Sequence, residues 1–418
     1  MISVVEVKTK RQRKKFVDFP TKLYKGNDCY VHPLRMDEFA IFDPKKNVSF
    51  DECDMVFYLA YKDGHVAGRI CGIIQKVYNS KTETKKVRFS RFDCIEDFEV
   101  AKALLSKIEE WAKMMGMDTV HGPLGFHDLE REGLLIDGFD RLATFEENYN
   151  FPYYKEYLEQ LGYVKDIDYL SFTIKLPEKS DDRVQKLSDL VMKRYNLRIA
   201  TAKNKKEYIN KYKDGIFDLL DEAYGDLYGV IPYNEKLRKQ IIDQFNLIIN
   251  LEYLITILDE NDKVVAFGFG LPSIAKSVQK SKGKLLPLGV FRILHDKNHC
   301  KLADFGLIGV RKDLQGKGIP AIILNYIVEA AKQVGVTRVE TNHSLETNLK
   351  ILQTWKNFDD VEQHKRYRVF TKDLNEKKKS GAKKSVKKVT KKKSTSVKSN
   401  KTKQKSNTTS NRKYTNKK

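Results

Sequence analysis

The chain has 418 residues, 41% of them hydrophobic, which is enough for ordinary cores and for two domains. The formal charge is +22, but residues 377–418 hold seventeen lysines and Arg412 with no acid, +18, so residues 1–376 carry only +4. No run of about 18 apolar residues is present, so no membrane span is expected, and the first residues lack the apolar core of a signal peptide. Cys29, Cys53, Cys71, Cys94 and Cys300 are odd in number and lack metal or redox spacing. Reduced thiols and a cytoplasmic location are therefore expected, and no metal site; His295, His299, His343 and His364 are too irregularly spaced to suggest one.

Along the chain, a basic stretch at 8–15 comes first. Apolar runs at 55–61 and 66–74 around Lys62-Asp63-Gly64-His65 predict a hairpin. A strand is expected at 87–92. A helix is expected over 98–115, from Phe98, Ala101, Leu104, Leu105, Ile108 and Trp111, with Gly116 as its stop. A strand at 119–124 leads into a long Gly- and acid-rich segment, 125–150, suited to shaping a substrate cleft. A helix at 152–161, a closing strand at 169–176 and a linker at 175–182 end the first half.

The second half repeats the order. A strand at 197–201, helices at 206–224 and 234–249, and a hairpin of 253–258 with 264–271 are expected. Residues 272–299 are an insertion. Leu285, Leu286, Leu288, Val290 and Phe291 suggest a partly buried helix there, with Lys276, Lys280, Lys282 and Lys284 lining another part. A strand at 301–310, a helix at 319–334, a strand at 337–341, a helix at 346–355 and a strand at 365–371 follow. The chain is thus read as two copies of one α/β module with a mixed (α+β) sheet, 1–178 and 183–374, plus a disordered Lys/Ser-rich tail, 375–418.

The densest signal is Gln315-Gly316-Lys317-Gly318-Ile319-Pro320, between an apolar strand and an apolar helix. Strand, glycine turn and helix N-terminus together hold phosphate, because backbone N–H groups and the helix dipole face outward there. The loop is neither a P-loop nor G-x-G-x-x-G. It resembles the Q/R-x-x-G-x-G/A loop of the GNAT acyltransferase superfamily, with Pro320 where that family has Gly or Ala. The order of elements is also similar to GNAT modules. More narrowly, His121-Gly-Pro-Leu124, Glu132-Gly-Leu-Leu-Ile-Asp-Gly-Phe139, Asn148-Tyr-Asn-Phe-Pro-Tyr-Tyr154, Glu346-Thr-Asn348 and His364-Lys-Arg-Tyr-Arg-Val-Phe370 resemble a bacterial family of tandem GNAT-like proteins of unassigned substrate.

The resemblance implies acetyl-CoA as acyl donor. It would be held by Ile308, Val310, Gln315, Gly316, Lys317, Gly318, Ile319 and Asn348, with the Val310 N–H polarising the thioester. The base for an incoming amine would be Asp304 or Glu340. By period two, Asp304 is expected on the strand face of Ile308 and Val310. Trp355 stands near the position of the usual general-acid tyrosine, leaving Tyr367 or Tyr326 as a substitute. The equivalent point of the first half, Asp93-Cys-Ile-Glu-Asp-Phe-Glu99, has four acids and no glycine, and would repel a pyrophosphate. The expected function is transfer of an acetyl or other acyl group from CoA to an amine by direct attack in a ternary complex. The tail is expected to attract nucleic acid non-specifically. Two rival readings are a Fem-type aminoacyl-tRNA-dependent transferase and a non-catalytic nucleic-acid-associated GNAT-like binder.

Overall fold

The computed structural model describes residues 1–178, 182–356 and 358–375. The first half runs β1 (Ile2–Glu6), α1 (Lys10–Leu23), α2 (Arg35–Ala40), β2 (Cys53–Lys62), β3 (His65–Gln75), α3 (Lys76–Thr82), β4 (Lys86–Cys94), α4 (Phe98–Met114), β5 (Thr119–Gly122), β6 (Leu134–Asp137), α5 (Tyr153–Gln160) and β7 (Val164–Lys175). The second runs α6 (Asp182–Arg194), β8 (Arg198–Ile199), α7 (Lys205–Tyr224), α8 (Glu235–Phe245), β9 (Leu254–Leu258), β10 (Val264–Pro272), α9 (Ala275–Lys280), α10 (Gly289–His299), β11 (Leu302–Val310), α11 (Ile319–Gln333), β12 (Arg338–Thr341), β13 (Ser344–Leu345), α12 (Leu349–Trp355) and β14 (Val361–Asp373).

The repeat is fuller than expected from the sequence. The basic stretch at 8–15 is the start of α1. Thr9 and Gln12 cap it reciprocally, and Phe16, Val17 and Phe19 are buried beyond the lysines. Strand, two helices, hairpin, strand, helix, strand, helix and strand therefore occur twice. The expected tail, 375–418, lies outside the described residues apart from its first residue, Asn375.

The two halves share one sheet, in the order β1-β2-β3-β4-β5-β14-β7-β12-β11-β10-β9-β8. The closing strands have changed places. β14, from the end of the chain, pairs with β5 of the first half (Phe370 with Gly122, Asp373 with Thr119). β7, from the first half, pairs with β12 of the second (Arg338 with Lys175, Glu340 with Thr173). β7 and β14 lie antiparallel side by side and join the halves along most of their length. The expected boundary near 178–183 is thus a change in chain order, not an edge of the sheet.

Each half buries one long helix against its strands. α4 packs Leu104, Leu105, Ile108 and Trp111 on the first half, and α11 packs Ile322, Ile323, Ile327 and Ala331 on the second. The approach of α11 is close. A Cβ on Gly268 would lie 2.1 Å from a methyl of Ile323, so only glycine admits the helix there.

A stop after Asp360 removes β14. β5 and β7 then lose a neighbour together, and hydrogen exchange should show amide protection falling in both halves. Protection lost only in the second half would contradict the exchange of strands.

Candidate active site

β11 and β12 run parallel for four residues, Leu302–Phe305 against Arg338–Thr341, and then part. β12 ends, while β11 continues to Val310 along β10. A bulge helps to open the gap. Gly268 pairs with Ile308 and Gly270 with Phe305, so Gly306 and Leu307 together oppose Phe269. The extra residue reverses the alternation. Ala303 and Phe305 face α11, as do Ile308 and Val310 beyond the bulge. Asp304 therefore faces the opposite side, beside Phe145 and Ile248, and the expectation that it shares a face with Ile308 and Val310 is corrected.

The backbone of Ile308 and Val310 turns into the gap. The Tyr224 hydroxyl donates to the Ile308 carbonyl at 2.9 Å. Gln315 Nε2 donates to the Val310 carbonyl at 3.2 Å, and Lys350 Nζ donates to Gln315 Oε1 at 2.9 Å. Below lies the glycine loop. Gly316 and Gly318 take φ of +75° and +81°, and both are exposed. Lys317 N–H bonds the Leu314 carbonyl and Ala321 N–H the Gly318 carbonyl, and the N–H groups of Gly316 and Gly318 have no backbone partner among the described residues. Gly318 is the N-cap of α11 and offers no side chain to cap it.

These residues fit a CoA diphosphate. No atom approaches a Cβ placed on Gly316 within 4 Å, and the nearest to one on Gly318 is a Val191 methyl at 4.0 Å. Lys317, stacked 4.7 Å over the Tyr195 ring, and Lys350 supply cations. Pro320 falls in the first turn of α11, where a missing N–H breaks no helical bond. Ile319 buries its side chain in the core, so only its backbone is on offer.

The first half lacks this arrangement. Asp97 caps α4 itself, accepting from Glu99 N–H at 3.0 Å. Asp93 takes Arg69 Nε at 2.7 Å and the Tyr24 hydroxyl at 2.9 Å. That helix end is already satisfied by its own carboxylates.

A cavity of about 250 Å³ passes through the gap between β11 and β12. Ile351 and Trp355 line it on the α12 side, and Phe217, Leu220, Ile241 and Phe245 on the α7–α8 side. Asn348 also lines it, though its side chain caps α12, accepting from Ile351 N–H; the helix starts at Leu349, not at 346 as expected. The carboxyl groups in the apolar wall, Asp128, Glu130, Glu132 and Glu146, all come from residues 128–146 of the first half. Glu132 is 5% exposed. Its Oε2 accepts from the Tyr169 hydroxyl at 2.7 Å, and its Oε1 is buried without a partner among the described residues. Burial pushes its carboxyl up to about 8, although the Tyr169 hydrogen bond pulls the other way. Burial likewise lifts Glu146 to about 7 against the pull of Arg131. His343, pressed between the Tyr169 and Tyr367 rings, is held neutral by burial, its pKa down to about 4.

Sequence reasoning missed Glu132 as a site residue, although it stands in a motif quoted above. The other motif residues position it. Asn148 Nδ2 donates to the Gly133 carbonyl at 3.0 Å, and Asn150 bonds both the N–H and the carbonyl of Leu135. His121 contacts the cavity-lining Tyr228 through its hydroxyl at 3.0 Å.

The three expected catalytic side chains fall behind the cavity instead of along it. Lys365, on β14, is 1% exposed. It bonds Glu147, Glu340 Oε2 at 3.0 Å and the Leu142 carbonyl at 3.3 Å. Burial opposes the charge on Glu147, but Lys365 outweighs it and holds that carboxyl down to about 2. Glu340 is committed to this ion pair. Burial and the neighbouring Glu340 raise Asp304 well above the usual carboxylate range, and its Oδ1 has no partner among the described residues. It lines only a satellite cavity of about 10 Å³. Tyr367 is wholly buried, and its hydroxyl has no hydrogen-bond partner among the described residues. Glu340, Asp304 and Tyr367 are not among the residues that line the large cavity, and the charge cluster braces the two halves.

Glu132 makes stability pH-dependent in a defined direction. Its folded pKa lies above the unfolded value, so the folded state binds the proton more tightly and stability falls as pH rises from about 4.5 toward about 8. Glu132→Gln removes this penalty. The stability difference between variant and wild type should grow by ~4 kcal/mol between those limits. Denaturant melts at several pH values check it; a pH-independent difference would mean that Glu132 is solvated.

No family model matches the sequence. Two curated proteins are similar to the chain over nearly its full length. Protein YghO of Escherichia coli is 26% identical over 372 residues, covering 87% of this chain and 94% of its own length. The bacterial ceramide synthase of Caulobacter vibrioides is 28% identical over 398 residues, covering 89% and 98%. Among solved structures, a tandem GNAT protein from the clavulanic acid biosynthesis pathway, without AcCoA, superposes with a TM-score of 0.52 at 9% identity, covering 90% of this chain and 99% of that one. Two GNAT modules in tandem are the fold of this chain.

Proposed function

We propose that the protein is an N-acyltransferase that joins an acyl group from acyl-CoA to the amine of a long-chain amphiphile. One observation carries the reading: an apolar cavity crosses the gap between β11 and β12 and meets a buried carboxyl, Glu132, whose Oε1 has no hydrogen-bond partner among the described residues. An apolar wall of this kind suits a hydrocarbon chain better than a small polar amine or a lysine on a protein. The similarity to a protein named bacterial ceramide synthase supports the same class of acceptor.

Acyl-CoA, when bound, supplies an activated carbonyl. The chain's own residues do the rest. Gln315, Gly316, Lys317, Gly318 and Ile319 hold the diphosphate, and the backbone of Ile308 and Val310 orients the arm, with Asn348 at the wall. Glu132 takes the proton of the amine. A carboxyl titrating near 8 is well matched to that work near neutrality, far better than a solvated one. Tyr224 keeps its proton, its pKa raised by burial to about 12, and its hydroxyl already stands at Ile308, where a departing thiolate would need one. The phenylalanines and leucines of α7 and α8 exclude water.

Two substitutions separate binding from chemistry. Gly318→Asp puts a side chain and a negative charge where the diphosphate would sit, and should abolish CoA binding in calorimetry. Glu132→Gln should keep CoA affinity and lower kcat with a long-chain amine by ~100-fold. Wild-type protein that binds no CoA, or a Glu132→Gln variant with full kcat, would sink the reading.

A further inference from the structure

We propose that the insertion between β10 and β11 docks the protein on an anionic lipid surface. Residues 272–299 form α9, a turn and α10. Ile274, Val278 and Ile293 fix them to the body by burial. The outer side is apolar as well. Leu286 is 78% exposed, Phe291 67% and Leu288 57%. Leu288, Phe291 and Leu294 recur at every third residue and form one stripe of α10, with Leu286 in the turn before it. Such a patch in water is costly unless something covers it.

Charge selects the occupant. The segment holds Lys276, Lys280, Lys282, Lys284, Arg292 and Lys297 against one acid, Asp296. Asp296 is turned inward, accepting from the Ser277 hydroxyl at 2.5 Å. Arg292 donates to Ser281 at 3.1 Å, which keeps the lysine-bearing turn beside the apolar stripe. Two copies of this face would repel each other, and a nucleic-acid backbone offers nothing to leucine and phenylalanine. Anionic lipid offers both phosphate for the cations and hydrocarbon for the stripe. Lys297 Nζ also donates to the Ile249 carbonyl at 3.1 Å, and Ile249 lines the large cavity. The surface therefore adjoins the wall through which a lipid-like acceptor would enter.

Vesicle flotation of the full chain tests this, and binding is the readout, so the result stands apart from the acyltransferase reading. Phosphatidylglycerol vesicles should be compared with phosphatidylcholine at low salt and at about 1 M salt, where the Debye length of ~3 Å silences attraction by the lysine-rich tail. Wild type should prefer phosphatidylglycerol and stay bound at high salt. Leu286→Ser with Leu288→Ser and Phe291→Ser should lose the salt-resistant binding by roughly 100-fold with an unchanged melting temperature. Lys280→Glu with Lys282→Glu and Lys284→Glu should weaken binding to phosphatidylglycerol at low salt, where the attraction of the tail is common to both chains, while sparing the fold. Equal partitioning of wild type and serine variant overturns the proposal. So does a concentration-dependent dimer that the serine changes dissolve while wild type ignores vesicles.

Discussion

The pairing of β7 with β14 is the constraint on which the rest depends. Each is the closing strand of its half in chain order, and each completes the other half's sheet. Neither half can therefore satisfy its own backbone: β5 needs β14 from the far end of the chain, and β12 needs β7. This pairing brings the irregular segment 125–150 of the first half over the β11–β12 gap of the second. The Lys365 cluster sits at the same seam. Its ammonium, on β14, bonds Glu147 of the first half and Glu340 of the second. Removal of one member of such a buried set would leave charge without compensation, which fixes the register of the two halves more than it adds stability.

The duplicated fold has become asymmetric through local chemistry. One helix, α11, begins at an uncapped glycine with its N–H groups outward; the corresponding helix, α4, begins at Asp97 and is closed. The second half thus keeps an open helix end, while the first supplies the carboxyls of the cavity wall. Glu132 is raised by burial, with Oε2 bonded by the Tyr169 hydroxyl and Oε1 without a partner among the described residues. Glu147, nearby in sequence but paired with Lys365, is pulled down and spent on structure. Similar side chains are shifted in opposite directions because Glu147 is ion-paired with Lys365, whereas burial outweighs the more remote Arg88 at Glu132.

Much of this was legible in the sequence. Hydrophobic alternation and helical spacing placed most strands and helices, and the glycines of Gln315 to Gly318 marked the turn into α11. The bulge was not legible, since Gly306-Leu307 reads as ordinary alternation until β10 is set beside it; that one residue moved Asp304 to the wrong face. Strand exchange left no trace either, because β7 and β14 are both long alternating strands and the sequence does not say which partner each takes. The start of the first half was hidden by the lysines of α1, which mask Phe16, Val17 and Phe19. Glu132 was lost among the acids of 125–150, where burial and not composition distinguishes one carboxyl from the next. Lys365 looked like any basic strand residue.

A crystal structure of the protein with a CoA thioester tests the central claim most directly. The account predicts the diphosphate on the N–H groups of Gly316 to Ile319, the arm between β11 and β12, and the Tyr224 hydroxyl displaced from the Ile308 carbonyl. Density for CoA at Asp93 to Asp97 of the first half, or along a surface that leaves the β11–β12 gap closed, would contradict it.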